Sequence, residues 1–207
     1  MLQIVPIKPA EARILARMHC TLLQGSILVE LGYYFLAWFY YKILVQEKQI
    51  RGYLAYFENQ PAVFITYTLD VINMLKSPGR HHFLRLGLVL AMTVLMNPAA
   101  IVAILRVLTQ LLQEERDNIP VAAEILSFAV KEEYRSREFV NLRQVKVSNE
   151  LYTAVMADLR QAEVKEVKAM VKNDNVLSNI FYQHQQWKLV KTVYRFNQYQ
   201  NIYVKKI

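Results

Sequence analysis

The chain has 207 residues, of which 54% are hydrophobic and 20% are charged, and its formal net charge is +8 at pH 7. This length suits one domain with a buried core, and the basic excess favours an anionic ligand, a phosphate-rich cofactor, an acidic membrane surface or nucleic acid as a partner. Nucleic acid is the least favoured of these partners, because no known nucleic-acid-reading motif accompanies the charge.

The sole cysteine is Cys20, so no disulfide can form within the chain and a reducing compartment is expected. The first 20 residues, MLQIVPIKPAEARILARMHC, lack the basic-then-apolar order of a secretory signal. We therefore expect a cytoplasmic protein, and leave open that it is peripheral to a membrane.

The N-terminal third predicts a strand, two helices and a β-hairpin. LQIVPI is typical of a short strand, and the segment after Pro9 is typical of an amphipathic helix with proline in its first turn. YFLAWFYYKILVQ predicts a second helix, whose apolar face comprises Phe35, Trp38, Phe39 and Leu44. Two β-rich runs, Gly52 to Phe57 and Ala62 to Leu69, predict an antiparallel hairpin.

The most ambiguous stretch is Leu86 to Leu105, where 20 consecutive positions carry no charged side chain. Such a run is long enough to span a bilayer. However, Asn97 and Pro98 interrupt it at the middle and divide it into halves that are each too short to cross.

We therefore predict two helices, at 81–96 and 98–113, inserted at about 80–113 into a single domain of residues 1–207. They are expected to pack on the domain or on a twin subunit, which would make the protein a homodimer. Association of residues 83–112 with a membrane surface is the second alternative, and a true span is the third.

In the C-terminal half, Glu124 to Val130 predicts a strand whose alternation places Glu124 and Phe128 on the same face. A helix is predicted from about Asn149 with Ser148 as its cap. After it we predict a strand at 167–171, a short helix in NDNVLSNIFYQHQQ, and strands at 189–196 and 201–204. The resulting order is mixed α/β and lacks the uninterrupted alternation of a doubly wound parallel sheet.

Two segments of this half resemble the GNAT-type N-acetyltransferases. AEILSFAVKEEYRSREF is similar to the family's fourth strand and to the entry of its acetyl-CoA pyrophosphate loop. VKAMVKNDNVLSNIFYQHQQWKL is similar to the family's fifth strand, the N-x-x-A-x-x-(apolar)-Y helix and the G-F-like corner that follows. With the upstream hairpin, the match covers about 150 residues in the right order.

The resemblance implies a GNAT-like acyl-CoA N-acyltransferase fold, in which a central mixed sheet is flanked by helices. It also implies acetyl-CoA as co-substrate and transfer of its acetyl group to an amine of a small molecule or amino sugar. The backbone around Phe128, Ala129 and Val130 would bind the pantetheine arm. Tyr182 would be the general acid, and Glu124 is our candidate for the base.

The proposed pyrophosphate loop departs from the family pattern, because no glycine follows Gly87 anywhere in the chain. Family members use glycines there so that backbone N–H groups reach phosphate oxygens without interference from a Cβ atom. This chain has Arg135, Ser136 and Arg137 in those positions, followed by an apparent insertion, VNLRQVKV.

Three hypotheses follow from that departure. Arginine and lysine side chains could hold acetyl-CoA in place of glycine backbone, with Asn175 as a further cofactor contact. The loop could hold a different acyl-CoA or phosphate ligand. Alternatively, the protein could be a catalytically inactive GNAT-fold binding or structural module.

The remaining candidate residues carry less information. His81 and His82 are adjacent and have no partner at metal-ligand spacing, so we predict no metal site. His19 is expected at the surface or the core edge. The amine substrate is expected to meet the aromatic segment Tyr33 to Tyr41 and Tyr67, opposite the cofactor groove.

Overall fold

The fold is seen in a computed structural model, which describes residues 2–74, 82–113, 119–136, 138–139, 141 and 146–207. A seven-stranded sheet in the order β1-β2-β3-β4-β5-β7-β6 forms its centre. The strands are β1 Leu2–Pro6, β2 Arg51–Phe57, β3 Gln60–Thr68, β4 Ala123–Val130, β5 Glu166–Lys172, β6 Lys188–Arg195 and β7 Gln198–Lys206. Every neighbouring pair is antiparallel except β4 with β5.

Helices cover both faces of this sheet. They are α1 Ala12–Leu22, α2 Ile27–Glu30, a π-helix Phe35–Tyr40, α3 Ile43–Gln46, α4 Phe83–Met96, α5 Ala100–Gln113, α6 Glu132–Arg135, α7 Val147–Gln161 and α8 Val176–His184. A short 3₁₀ turn, Pro9–Glu11, precedes α1. The mixed α/β architecture predicted from the sequence is therefore confirmed.

Two hydrophobic clusters lie on opposite faces of the sheet. The first joins α1, the π-helix and α3 to Leu54, Phe64 and Ala129 of the sheet. The second joins α7 and α8 to the other face of the same strands, including Ile65 and Ile125. We call these the α1 face and the α7 face.

The predicted aromatic helix is interrupted. It consists of the π-helix followed by α3, and the extra residue per turn of a π-helix changes which side chains point inward. Phe35, Phe39 and Leu44 are buried as predicted, but Trp38 is 38% exposed. Its ring lies beneath the Lys42 ammonium, 4.4 Å from the nitrogen, so the prediction of a four-residue apolar face was wrong at this position.

The predicted pair of apolar helices is confirmed as α4 and α5, joined across Asn97, Pro98 and Ala99. Their inner sides, including Val89 and Ala103, pack on the α1 face. Within the described ranges, neither of these helices nor any other is long and apolar enough to cross a membrane.

Candidate active site

The candidate site begins where β4 and β5 separate. Their parallel pairing joins only Ala123–Ile125 with residues 167–169, although β4 continues to Val130 and β5 continues to Lys172. We call the space between residues 126–130 and 170–172 the β4–β5 cleft. Main-chain N–H and C=O groups of β4 that point into this cleft have no ladder partner on β5, so they can bind an extended polar ligand.

A β-bulge at Leu126 shapes the side of this cleft. Thr66 of β3 is opposite Ser127, while the next residue, Tyr67, is opposite Ile125, so Leu126 has no partner in the register. Bulges rotate the side chains that follow them. Phe128 therefore packs on the α7 face together with Ile125, whereas Ala129 packs on the α1 face.

This bulge corrects one prediction about Glu124. Ile125 lies on the α7 face, so alternation places Glu124 on the other side of the strand from Ile125 and hence from Phe128. The shared face predicted for Glu124 and Phe128 was wrong, because regular alternation does not hold across the extra residue.

The Glu124 carboxylate lies at the closed end of the cleft. It is 4% exposed, and its Oε2 atom is 3.6 Å from Nζ of Lys168, the residue opposite it on β5. Burial, followed by the charge of Glu124, raises the pKa of Tyr40, which lies on the α1 face. The Glu124 charge also contributes to the raised pKa of Tyr182 on the α7 face, so this carboxylate influences hydroxyl groups on both sides of the sheet.

Tyr182 projects from α8 into the α7 face and is 5% exposed. Its ring stacks on Tyr203 at 5.7 Å between centroids and meets Trp187 edge-on at 4.9 Å. Burial is the largest cause of its raised pKa, and the charges of Tyr152 and Glu124 add to it. No hydrogen bond from a described residue to the Tyr182 hydroxyl is present.

The wall of the cleft is formed by the end of β4. The Phe128 ring meets the Phe181 ring of α8 edge-on at 5.2 Å, which fixes α8 beneath this part of the strand. The Phe128, Ala129 and Val130 backbone therefore lies beside the helix that carries Tyr182. The structure brings these four predicted site residues into one region.

The segment after β4 packs away from the cleft in its described part. The Lys131 N–H donates to Ala62 O at 3.0 Å, and Tyr134 and Phe139 pack their rings against Phe57 of β2. The Ser136 hydroxyl accepts from Phe139 N at 3.1 Å and donates to Glu133 O at 3.3 Å.

Of the predicted phosphate-binding side chains, Arg135 is exposed at the end of α6, and Ser136 is already used to close this turn. Arg137 lies outside the described residues, as does most of the predicted insertion and His81. The described part of the turn is anchored on the β2–β3 hairpin.

Helix α7 follows, and its first turn carries no side-chain cap. It begins at Val147, and no side-chain cap is formed at Lys146, so the prediction of Ser148 as the cap was wrong. Uncapped first-turn N–H groups and the helix dipole favour an anion at this end. Val147 packs into the core, so this helix end is fixed on the α7 face.

Asn175 acts as the cap of α8. Its Oδ1 atom accepts from Ser178 N at 3.1 Å. The more extensive polar site belongs to Asn179, which the sequence reasoning missed. Asn179 Oδ1 accepts from Asn201 Nδ2 and from the Tyr203 hydroxyl, each at 2.9 Å. An asparagine inside an apolar helical run is the sequence signal that could have identified this network.

The predicted substrate surface divides between the two faces. Tyr41 is buried on the α1 face, where its hydroxyl is 2.7 Å from His19 Nδ1. Tyr67 lies on the α7 face and donates to Asp158 Oδ2 at 2.7 Å, beside a cavity of about 730 Å³. Tyr67 therefore cannot share a surface with Tyr33 to Tyr41, and the prediction that grouped them was wrong.

His19 is more deeply buried than its sequence suggested. It is 1% exposed, its Nε2 atom is 3.2 Å from Ser26 Oγ, and burial lowers its pKa to about 4. The prediction of a surface or core-edge histidine was wrong, because the sequence did not show that Tyr41 and Ser26 would satisfy both ring nitrogens.

Solved structures with the same architecture are acetyltransferases. The PaiA N-acetyltransferase from Thermoplasma acidophilum in complex with coenzyme A aligns with a TM-score of 0.58 and 13% identity, covering 100% of this chain and 99% of that chain. Arabidopsis thaliana NAA60 in complex with acetyl-CoA aligns with a TM-score of 0.58 and 12% identity, covering 100% and 98%. The fold is that of the GNAT acetyltransferases.

The ribosomal-protein-S18-alanine N-acetyltransferase from Escherichia coli also aligns, with a TM-score of 0.57 and 9% identity over 100% of this chain and 94% of that chain. No protein-family model matches the sequence, and no curated protein matches it. The likeness therefore lies in the GNAT architecture rather than in the sequence.

Proposed function

We propose that this protein transfers the acetyl group of acetyl-CoA to an amine. The observation that carries the proposal is the β4–β5 cleft, where β4 continues for five residues beyond its last pair with β5. An acyl-pantetheine arm contains amide groups that can pair with such a strand, as a missing neighbour would. The GNAT fold and the CoA or acetyl-CoA bound in two structural neighbours support this assignment.

The pyrophosphate would bind near the uncapped start of α7. A backbone without glycine would make fewer close contacts with the phosphate oxygens, so positively charged side chains would supply more of the attraction to the pyrophosphate. Lys131 and Arg135 precede this helix end, and Lys146 is at its N-cap position. Arg137 and Arg143 remain candidates from sequence alone.

The reaction would form a C–N bond and break a C–S bond. The amine nitrogen attacks the thioester carbonyl carbon, and its excess proton goes to Glu124 as general base. The departing thiolate takes a proton from Tyr182, whose raised pKa keeps the hydroxyl protonated at neutral pH. Main-chain N–H groups at Phe128 to Val130 would polarise the carbonyl oxygen.

The acceptor is proposed to be the amine of a small molecule or amino sugar. It would enter the β4–β5 cleft on the side of Ser127, whose hydrogen bond moderates the raised pKa of Tyr40 and Tyr41. One structural neighbour is a ribosomal-protein-S18-alanine N-acetyltransferase, so a peptide with a free N-terminus should be tested as an acceptor as well. A reducing, cytoplasmic setting is part of the proposal.

Release of CoA thiol from acetyl-CoA tests the function when it is measured with a small amine, an amino sugar and a peptide. Replacing Glu124 alone would leave Lys168 buried without its partner and would destabilise the fold. The matched test is therefore Glu124→Gln with Lys168→Met. We expect this pair of changes to lower turnover about 100-fold, with acetyl-CoA binding retained. Undiminished turnover would exclude Glu124 as the base.

A catalytically inactive GNAT-fold module is the second candidate. The absence of glycine between β4 and α7 favours it, together with the use of the Ser136 hydroxyl inside its own turn. Such a module would release no thiol with any acceptor. If acetyl-CoA also fails to raise the melting temperature at millimolar concentration, cofactor binding is excluded as well.

The exposed apolar side chains of residues 83–105 add a partner to this proposal. Two occupants fit an exposed helical hairpin of this composition, a membrane surface and a second copy of the chain in a homodimer.

A further inference from the structure

Helices α4 and α5 present a long apolar stripe to solvent. On α4, exposed side chains recur every three or four residues, so they share one side of the helix: Leu84, Leu88, Met92, Leu95 and Met96. On α5 the exposed apolar side chains are Ile101, Val102 and Leu105. Leu95 is 81% exposed and Leu84 is 72% exposed, although leucine is usually buried.

The opposite side of the hairpin is fixed to the domain. Val89, Thr93 and Ala103 are buried against the α1 face, and the Arg106 guanidinium donates to Glu30 Oε2 of α2 at 2.7 Å. His82 Nε2 is 3.1 Å from Glu47 Oε1. The exposed stripe is thus the outer surface of a packed layer.

The charged side chains that the described part of the hairpin itself carries, Arg85 and Arg106, are both basic. The sequence contains no aspartate or glutamate between Asp70 and Glu114. Arg85 is exposed beside the stripe, and the whole chain carries a formal charge of +8. Among the described residues, Glu30 is paired with Arg106, and the Glu47 carboxylate is 3.1 Å from His82 Nε2.

This charge pattern discriminates between the two candidate occupants. In a twofold dimer the stripe would meet its own copy, and the described side chains of that stripe include no carboxylate that could pair with Arg85. An anionic lipid headgroup supplies the missing negative charge, and the acyl boundary beneath it receives the leucine and methionine side chains.

The dimensions favour a flat orientation. Each helix has 14 residues and is therefore about 21 Å long, whereas the hydrocarbon core is about 30 Å thick. The exposed side chains run along the length of α4 and are not confined to the tip near Asn97. A hairpin that lies flat in the headgroup region buries the whole stripe. A hairpin inserted end-on would also bring into the lipid the side that packs on the domain.

We propose that the α4–α5 hairpin docks the protein on the surface of anionic membranes, with its apolar stripe lying in the headgroup and acyl boundary. Attraction then comes from two sources, burial of the stripe and the positive charge beside it. Docking is independent of acetyl transfer, so either property can be lost without the other.

Flotation of the full chain with vesicles tests the docking. The vesicles contain phosphatidylcholine alone or phosphatidylcholine with phosphatidylglycerol. We expect binding to the anionic vesicles that weakens with added salt, and a loss of at least about tenfold for Leu88→Glu. Arg85→Gln should weaken binding about fivefold.

Leu177→Glu is the matched control, because Leu177 and Leu88 are both 64% exposed and each change adds one negative charge. The proposal requires wild-type binding for Leu177→Glu, and circular dichroism must show that all three variants are folded. Equal weakening by Leu88→Glu and Leu177→Glu would overturn it, as would failure of the wild type to bind anionic vesicles. Self-association without lipid that Leu88→Glu abolishes would instead identify a second copy as the occupant.

Discussion

Tyr182 combines a buried ring with a hydroxyl that no described residue hydrogen-bonds. Stacking on Tyr203 and the edge contact with Trp187 fix the ring, while Glu124 lies near enough for its charge to raise the hydroxyl pKa. A fixed and protonated hydroxyl that is not engaged by a described residue is what the proposed role as general acid requires.

Tyr182→Phe removes only that hydroxyl. If Tyr182 is the general acid, we expect kcat to fall about 100-fold, with the Kd for acetyl-CoA almost unchanged because the ring contacts remain. Steady-state kinetics and calorimetry measure the two quantities. Tyr194→Phe on the exposed part of β6 is the control and should retain wild-type turnover. Equal turnover in both variants would remove Tyr182 from the mechanism.

His19 should make stability depend on pH. Burial lowers its pKa from 6.5 to about 4, so between these values the unfolded chain binds a proton that the folded protein does not. The stability that the folded protein gains from holding His19 neutral is therefore present above pH 6.5 and is lost as the pH falls toward 4. Between pH 7 and pH 5, we expect the free energy of unfolding of the wild type to fall by about 2 kcal/mol more than that of His19→Gln.

Urea titrations at the two pH values measure that difference. His184→Gln, at an exposed histidine of α8, is the control and should follow the wild-type pH dependence. If His19→Gln has the same pH dependence as wild type, His19 is not held neutral by its buried site.

At the scale of elements, the corner after α8 shows how a side chain can replace a glycine. Gln186 occupies the position of the glycine in the G-F-like corner and has a φ of +59°, which is in the left-handed region. The Trp187 N–H donates to Tyr182 O at 3.0 Å, so this corner also holds the end of the helix that carries Tyr182.

Gln186→Gly should therefore stabilise the protein. Glycine relieves the left-handed strain but adds freedom to the unfolded chain, and we expect a net gain of about 0.5–1 kcal/mol. Thermal and urea unfolding measure the change. Gln186→Ala keeps a Cβ atom and should bring no such gain; a gain equal to that of glycine would show that the backbone strain is unimportant here.

Local patterns were sufficient to predict most elements. The β2–β3 hairpin, strand β4 and helices α4 and α5 were predicted because each has its own periodicity and breaking residues. The bulge at Leu126 was not predictable, because it is defined by pairing with Thr66 and Tyr67 on another strand. The separation of β4 from β5 likewise depends on contacts between distant segments.

The site residues stay a prediction, but the sequence already indicated part of their spatial arrangement. The resemblance located β4 and Tyr182, and the fold places them side by side. Sequence reasoning missed Lys168 as the partner of Glu124, because parallel register between β4 and β5 sets that contact. It also grouped Tyr67 with Tyr33 to Tyr41. The alternation of β3 shows which of its residues share a face, but it does not show which helices cover that face.

At the scale of the whole molecule, the α1 face lies between the sheet and the α4–α5 hairpin. The layers follow one another as α7 and α8, the sheet, α1 with the π-helix, and the hairpin. A membrane on the outer side of the hairpin would therefore leave the α7 face, with Tyr182, directed away from lipid. The proposed membrane surface and the helix that carries Tyr182 would then lie on opposite sides of the sheet.

Amide hydrogen exchange, measured with and without acetyl-CoA, will show whether acetyl-CoA occupies the β4–β5 cleft. We expect slowed exchange at residues 127–130 of β4 and at the first turn of α7, with little change in the α4–α5 hairpin. Saturating acetyl-CoA that leaves these amides unprotected, or protects a different region, would contradict this expectation.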